Sequence, residues 1–327
     1  MLASPTPSLI LMSRYAPHHS WPALKRTFSQ FSENDSLRLA AALAYTAAFS
    51  LPPLLIVVIA VAGVVFGQEA VSGQVFAQLR GLLGADAAAG IQKTILNFNR
   101  HDSGAIATAI GIGTLLFGAS AFFATLQESL NDIWNLKPKP RNGLLAFVQT
   151  RVLSLGLVLS VGLLLLVSLV LSAGLAAFGG YLRALLPNAT VVLFHALDVV
   201  LSLALTSVMF ALLFRFLPDA RVAWRDIWPG AILTSILFLV GKYLIGLYVG
   251  KADPGSAYGA AGSIIVLLVW VYYSGLIVFF GAEFTQQLLA QFGQKVRPKE
   301  YAVGVLEKEL PPGQAAPAEQ DGDTSAG

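Results

Sequence analysis

The residues best placed for chemistry in this sequence are three ionisable side chains inside long apolar stretches. Asp198 and Lys242 lie roughly 10 and 12 Å from the ends of neighbouring stretches, counting 1.5 Å per helical residue. A lone charge at mid-bilayer costs about 2.5–3.5 kcal/mol on insertion scales, so the two side chains have a reason to pair. His195 lies one helical turn before Asp198 on the same face. We consider these three a candidate intramembrane polar site, which binds a solute or relays protons; the alternative is a structural ion pair in which Lys242 extends toward the headgroups.

A second group of charged residues lies near the opposite ends of the apolar stretches. Glu283, Arg215 and Glu128 each fall close to the point where such a stretch ends. They are a candidate cytoplasmic gate, with solvated interfacial charges as the alternative, since exposed ion pairs contribute little free energy.

The usual signatures of catalysis and cofactor binding do not occur. The sequence has no cysteine, which removes disulfides, thiolate nucleophiles and cysteine-ligated metals. It lacks a phosphate-binding glycine loop, a His-Glu-x-x-His pair and a Gly-x-Ser-x-Gly motif in the required context. We therefore expect no enzyme activity, no cofactor and no metal site.

Composition places these residues in a membrane protein. Of 327 residues, 56% are hydrophobic and only 12% are charged, and the mean hydropathy is +0.69. Soluble domains carry about 25% charged residues. Six stretches are long enough to cross a hydrocarbon core about 30 Å thick. They cover residues 37–66, about 104–126, about 152–178, 191–216, 227 to about 250, and 257–284. The expected fold is an all-α bundle of six transmembrane helices with short amphipathic interfacial helices.

The first stretch contains Pro52 and Pro53, which remove two backbone donors and disfavour a helical residue before them. We predict a helix break or kink here, of the kind that lies near substrate in some transporters; a kink used only for packing is the alternative. Residues 21–31 predict an amphipathic helix, lying either on the membrane surface or against the cytoplasmic side of the bundle. Two further amphipathic segments within 67–103 are expected to cover one face of the bundle.

Basic residues set the expected orientation. The amino-terminal segment, the second and fourth connections and the tail, counted with the span-end residues Arg38 and Arg215, hold 15 of the 21 Lys and Arg residues. The positive-inside rule therefore places both termini in the cytoplasm. The predicted organisation is a cytoplasmic amino-terminal segment with the amphipathic helix at 1–35, a six-helix transmembrane domain at 36–290, and a disordered cytoplasmic tail at 291–327, which has little apolar content.

Four segments together give the sequence a family resemblance. They are FSLPPLL, GASAFFATLQESLNDIW, RFLPDARVAWRDIWPGAI and AYGAAGSIIVLLVWVYYSGLIVFFGAEFT. In this order they resemble the YihY/BrkB family of bacterial inner-membrane proteins over about residues 30–290. The resemblance implies a six-helix protein of the cytoplasmic membrane; members have been linked to serum resistance, proposed to export solutes, and labelled ribonuclease BN.

The residues argue against the nuclease label. A metal-dependent ribonuclease needs clustered His and Asp ligands, whereas the four histidines are scattered apart from one adjacent pair. They are His18, His19, His101 and His195. We instead expect a transporter-like bundle for a small organic solute or lipid-like molecule, with a non-transporting membrane scaffold involved in envelope integrity or serum resistance as the alternative. Expected partners are membrane lipids and an unidentified small solute, with homo-oligomers left open and no nucleic acid.

Overall fold

The computed structural model describes residues 17–83, 88–93, 105–139, 190–252, 262–293 and 296–305. Most of these residues are helical, and residues 88–93 form one short helical segment. The longer helices are α1 (Pro17–Glu33), α2 (Ser36–Phe66), α3 (Gln68–Leu83), α4 (Ala105–Ile133), α5 (Thr190–Phe216), α6 (Trp224–Ala252) and α7 (Gly262–Gln291). Four short strands complete the described part: β1 (Leu136–Pro138), β2 (Ala220–Arg221), β3 (Arg297–Pro298) and β4 (Ala302–Gly304).

Three of the helices are long and apolar enough to cross a membrane within the described residues. The qualifying segments are Val199–Phe216, Trp224–Leu247 and Ile264–Gln291. On α6, exposed apolar residues recur at helical spacing and form a continuous lipid-facing stripe. They are Ile232, Ile236, Val240, Leu244 and Leu247. These features confirm a helical membrane protein, while the predicted third span at about 152–178 lies outside the described residues and the count of six stays a prediction.

Helix α2 is continuous from Ser36 to Phe66, so the predicted helix break at Pro52 and Pro53 is not observed. The Pro53 ring packs against α4 at Gly118, where an added Cβ would lie 3.1 Å from the Pro53 Cγ atom. Because the glycine leaves room for the Pro53 ring, neighbouring packing accommodates this proline within one helix. Whether the prolines serve packing alone or lie near a substrate stays open as predicted.

Helices α6 and α7 approach each other through a reciprocal pair of Gly and Thr residues. The Thr285 side chain occupies the space beside Gly230, and the Thr234 side chain occupies the space beside Gly281. Each hydroxyl donates to a carbonyl within its own helix, from Thr234 to Gly230 at 2.7 Å and from Thr285 to Gly281 at 2.8 Å. The hydroxyls are therefore satisfied while the two backbones come into close contact.

The predicted amphipathic helix packs on the bundle. In α1, Ala23 and Thr27 are buried, and Ala23 joins a small apolar cluster with Phe284 and Leu288 of α7. The Phe28 ring makes an edge contact with Phe280, with ring centroids 5.0 Å apart. Of the two arrangements considered for this helix, the structure has the one in which it lies against the bundle.

At the other end of the helices, α3 covers the bundle as predicted for one of the segments within 67–103. Leu79 and the short segment's Ile91 pack with Ile245 and Trp270 in one apolar cluster. The remaining residues assigned to that cover, between 94 and 103, lie outside the described part.

The four strands form two small antiparallel sheets, which an all-α prediction did not include. β1 pairs with β4, and β2 pairs with β3. The sheets join the connection after α4, the connection after α5 and the segment after α7 at the end where α1 also lies. We call this end, formed by α1 and β1–β4, the basic end, because it carries Lys137, Lys139, Arg221, Arg225, Arg297 and Lys299.

The strands also correct the prediction of a disordered tail from residue 291. Helix α7 extends to Gln291, and residues 296–305 are ordered, with Ala302 buried. Backbone pairing, rather than burial of side chains, holds this segment in place, so it is ordered despite its low apolar content. Residues 306–327 lie outside the described part, so the rest of the tail prediction stays a prediction.

Removing the paired segment is expected to destabilise the bundle. A chain that ends at residue 295 loses both sheets and should unfold with a free energy lower by about 2–4 kcal/mol, since several backbone hydrogen bonds are lost together. A chain that ends at residue 305 keeps them and serves as the control. Thermal unfolding in detergent measures both, and equal midpoints for the two chains would contradict the role given to β3 and β4.

Candidate functional site

The first candidate site is described only in part. Asp198 and His195 lie in α5 and Lys242 lies in α6, two helices that pack against each other. The side chain of Lys242 is exposed, whereas the side chains of Asp198 and His195 lie outside the described part. The polar site formed by these three residues therefore stays a prediction, with the structural ion pair as its alternative.

The side chains of the second candidate group form no ion pair with one another in the described part of the chain, and their role as a cytoplasmic gate stays a prediction. Glu283 is fully buried on α7, Arg215 is half-buried at the end of α5, and Glu128 is exposed on α4. Arg215 donates to the carbonyl of Val222, and no two of the three gate residues form an ion pair. Three residues near the ends of different helices can face in different directions, and these three differ in burial.

Glu283 is the most deeply buried ionisable residue of the described chain. Its side chain is 0% exposed and lies in the part of α7 that qualifies as a membrane span. The Nδ2 atom of Asn34 donates a hydrogen bond to Oε1, and Oε2 has no hydrogen-bond partner among the described residues. A buried carboxyl with one unpaired oxygen is energetically costly, and such residues in membrane spans mark functional sites by default.

The partner of Glu283 lies at the turn between α1 and α2. Residues 34 and 35 form this turn, and Asp35 has a positive φ of 49°. The carbonyl of Asp35 accepts the first backbone hydrogen bonds of α2, from Arg38 and Leu39. The Asn34 side chain donates its amide hydrogen to Glu283. The hydrogen bond therefore links the entry of the bundle to its last helix, 249 residues further along the chain.

A second buried polar group lies nearby at the basic end. Asp219, 4% exposed, follows α5 and accepts hydrogen bonds from Gln127 at 3.1 Å and Asn131 at 2.9 Å. The backbone N–H of Asp219 donates to Oδ1 of Asn131 at 2.8 Å. Gln127 and Asn131 are four residues apart, so both face the same side of α4. We call this group the Asp219 network.

Sequence reasoning singled out Glu283 as a gate candidate but missed its hydrogen bond with Asn34, and it missed the Asp219 network altogether. The sequence did contain one indication, because Gln127 and Asn131 lie in a segment used for the family resemblance and Asp219 lies in another. Nothing in either segment indicates that Asp219 contacts Gln127 and Asn131. Among the described residues there is no group of three or more His, Asp or Glu side chains that could hold a metal ion.

Comparisons with known proteins show which family the chain belongs to. The family model described as virulence factor BrkB matches residues 27–302. A UPF0761 membrane protein of Verminephrobacter eiseniae is 30% identical over 274 residues, which is 82% of this chain and 62% of that protein. A UPF0761 membrane protein of Photobacterium profundum is 30% identical over 311 residues, which is 89% of this chain and 92% of that protein.

The match thus spans less than two thirds of the Verminephrobacter relative and most of the Photobacterium one. No solved structure matches the chain. The family model covers α2 to β3 completely and confirms the resemblance seen in the four sequence segments. The chain belongs to the virulence factor BrkB family of membrane proteins.

Proposed function

We propose that the protein is a transporter of the bacterial inner membrane, a six-helix bundle that moves a small organic solute or a lipid-like molecule. Both termini lie in the cytoplasm, and no catalytic step is part of the proposal. The observation that carries it is the burial of Glu283 inside the bundle with one carboxyl oxygen unpaired. A scaffold has no use for such a group, whereas ion-coupled carriers use intramembrane carboxyls to bind protons or cations.

The link to Asn34 supplies a way to couple this carboxyl to helix movement. A proton or cation that binds the free Oε2 atom changes the charge beside the α1–α2 turn, where the Asn34 side chain is held. An ion shifts a conformational equilibrium only if it binds one state better, and a contact between two helical elements can provide that difference. We therefore assign Glu283 the role of the coupling residue.

A flux measurement tests this proposal. The full chain is reconstituted in liposomes, a pH gradient is imposed, and uptake of a panel of organic solutes and fluorescent lipids is recorded. For the solute that is transported, Glu283→Gln should reduce gradient-driven flux by at least about tenfold, as expected when an essential charge is removed from a low-dielectric site. Glutamine can still accept the hydrogen bond from Asn34, so the variant is expected to fold.

The control is Glu69→Gln, which removes the same charge from an exposed position at the start of α3. It should leave flux unchanged. If the wild-type protein transports a solute and Glu283→Gln transports it equally well, Glu283 has no role in transport. No flux across the panel, with folded protein, would instead favour the membrane scaffold.

A further inference from the structure

A small cavity with an excess of positive charge opens at the basic end. Its volume is about 280 Å³, and it lies between the last turn of α5 and the segment that carries β3. Arg215, Arg221 and Lys299 line it, together with one acid, Glu300. The Glu300 side chain is 87% exposed and pairs with Arg221 at 2.7 Å, so it lies at the solvent side of the cavity.

The other two cations are directed to backbone carbonyls. Arg215 donates to the carbonyl of Val222, and Nζ of Lys299 donates to the carbonyl of Phe216 at 3.3 Å. Among the described residues, neither cation has a carboxylate within ion-pairing distance. The nearby carboxylate of Asp219 already accepts two hydrogen bonds from α4. Two positive charges in this cavity therefore lack a paired anion in the part of the chain that is described.

The pKa of Lys299 reflects this environment. Burial lowers the pKa of its ammonium group; Asp219 opposes this effect, and Arg215 and Arg221 add to it. Like charges that crowd one site disfavour the charged form, so an anion placed among them would be stabilised and would restore the pKa of Lys299. Guanidinium and ammonium groups around one point are the donors that bind phosphate oxygens in proteins.

The surrounding aromatic residues place the cavity at a membrane boundary. Phe216 and Trp224 are 44% and 43% exposed at the facing ends of two qualifying spans. Their rings make an edge contact, and the Arg215 guanidinium lies 6.0 Å from the centre of the Trp224 ring. Exposed tryptophan at the end of a span is typical of the headgroup region, and basic pockets between helices at that level bind anionic lipid headgroups.

We propose that this cavity binds a phosphate group, and that the phosphate belongs to the headgroup of an anionic phospholipid. Arg215 and Lys299 contact the phosphate from the protein side and Arg221 from the solvent side. The site is independent of the solute path proposed above, because it lies outside the bundle core that contains Glu283.

The test uses the full chain, stripped of lipid in a neutral detergent, with retained lipid counted by native mass spectrometry. Phosphatidylglycerol should bind the wild type more tightly than phosphatidylcholine. Lys299→Gln and Arg221→Gln should each weaken phosphatidylglycerol binding about fivefold, as expected for one basic residue near an anionic surface. The matched control is Arg297→Gln, which removes the same charge from the paired strand, at a residue that does not line this cavity; its effect should be clearly smaller than that of either cavity variant.

Three outcomes would overturn the proposal. If phosphatidylglycerol and phosphatidylcholine bind equally well, the cavity does not select an anionic headgroup. If Arg297→Gln weakens phosphatidylglycerol binding as much as the cavity variants do, the binding depends on diffuse surface charge and not on a site. If inorganic phosphate displaces the lipid at an equal concentration, the cavity binds a soluble phosphate, and the proposal that the phosphate belongs to a lipid is contradicted. Only monodisperse protein is measured, and Arg221→Gln, whose side chain is 60% exposed, keeps the test informative if Lys299→Gln fails to fold.

Discussion

Replacing Asp219 by alanine is expected to lower the free energy of unfolding by about 3–5 kcal/mol, because two hydrogen bonds to a buried carboxylate are lost and their donors are left without an acceptor. The donors belong to Gln127 and Asn131 on α4, and the acceptor follows α5, so the substitution also disconnects two helices that are distant in sequence. Thermal or denaturant unfolding in detergent measures the loss.

Two variants make this experiment specific. Asp219→Asn keeps one acceptor oxygen and should fall between alanine and wild type. Glu128→Ala changes an exposed carboxylate that is adjacent in sequence to Gln127 and should have little effect. If Asp219→Ala were no less stable than Glu128→Ala, the Asp219 network would not hold the basic end together.

Adding a single methyl group at Gly281 is the second substitution with a large expected effect. A Cβ there would overlap the Thr234 hydroxyl and lie 3.1 Å from the Thr234 Cβ and 3.3 Å from the Phe214 ring. Overpacking of this kind costs about 1–3 kcal/mol for alanine, and isoleucine is expected to prevent α6 and α7 from pairing. The yield of monodisperse protein and its unfolding midpoint report both effects.

The cause can be isolated by a second substitution. Thr234→Ala removes the overlapping hydroxyl, so Gly281→Ala combined with Thr234→Ala should recover more than half of the lost stability. Gly246→Ala is the matched control on α6, because nothing lies within 4 Å of its added Cβ. It should be neutral or slightly stabilising, since alanine favours helix over glycine by about 1 kcal/mol. No recovery in the double variant would mean that close packing at this contact is not what limits stability.

The helices themselves were largely predictable from the sequence. The ends of α2, α5 and α6 lie within about three residues of the predicted span ends, because uninterrupted apolar runs determine where a helix meets the bilayer edge. Helix α4 continues to Ile133, past the predicted end near 126, and this extra length carries Gln127 and Asn131 to Asp219.

The contacts between distant segments were not predictable. Asn34 and Glu283 are 249 residues apart, and nothing local to either residue identifies the other as its partner. The two small sheets consist of strands of two or three residues, which have no periodicity of their own and exist only through pairing. Of the predicted break or kink at Pro52 and Pro53, the break is not observed, and a glycine on another helix lies against the Pro53 ring, a tertiary contact that local preference does not indicate.

The measurement that tests this account most directly is cysteine accessibility, since the sequence contains no cysteine and any single substitution can be labelled without background. Ser32→Cys and Val303→Cys lie at the basic end, whereas Glu69→Cys lies at the start of α3, beyond the far end of α2; all three positions are exposed. In intact spheroplasts a membrane-impermeant maleimide should label Glu69→Cys alone, and should label the other two only after the membrane is permeabilised. Labelling of Ser32→Cys or Val303→Cys from outside would contradict a six-helix bundle whose basic end faces the cytoplasm.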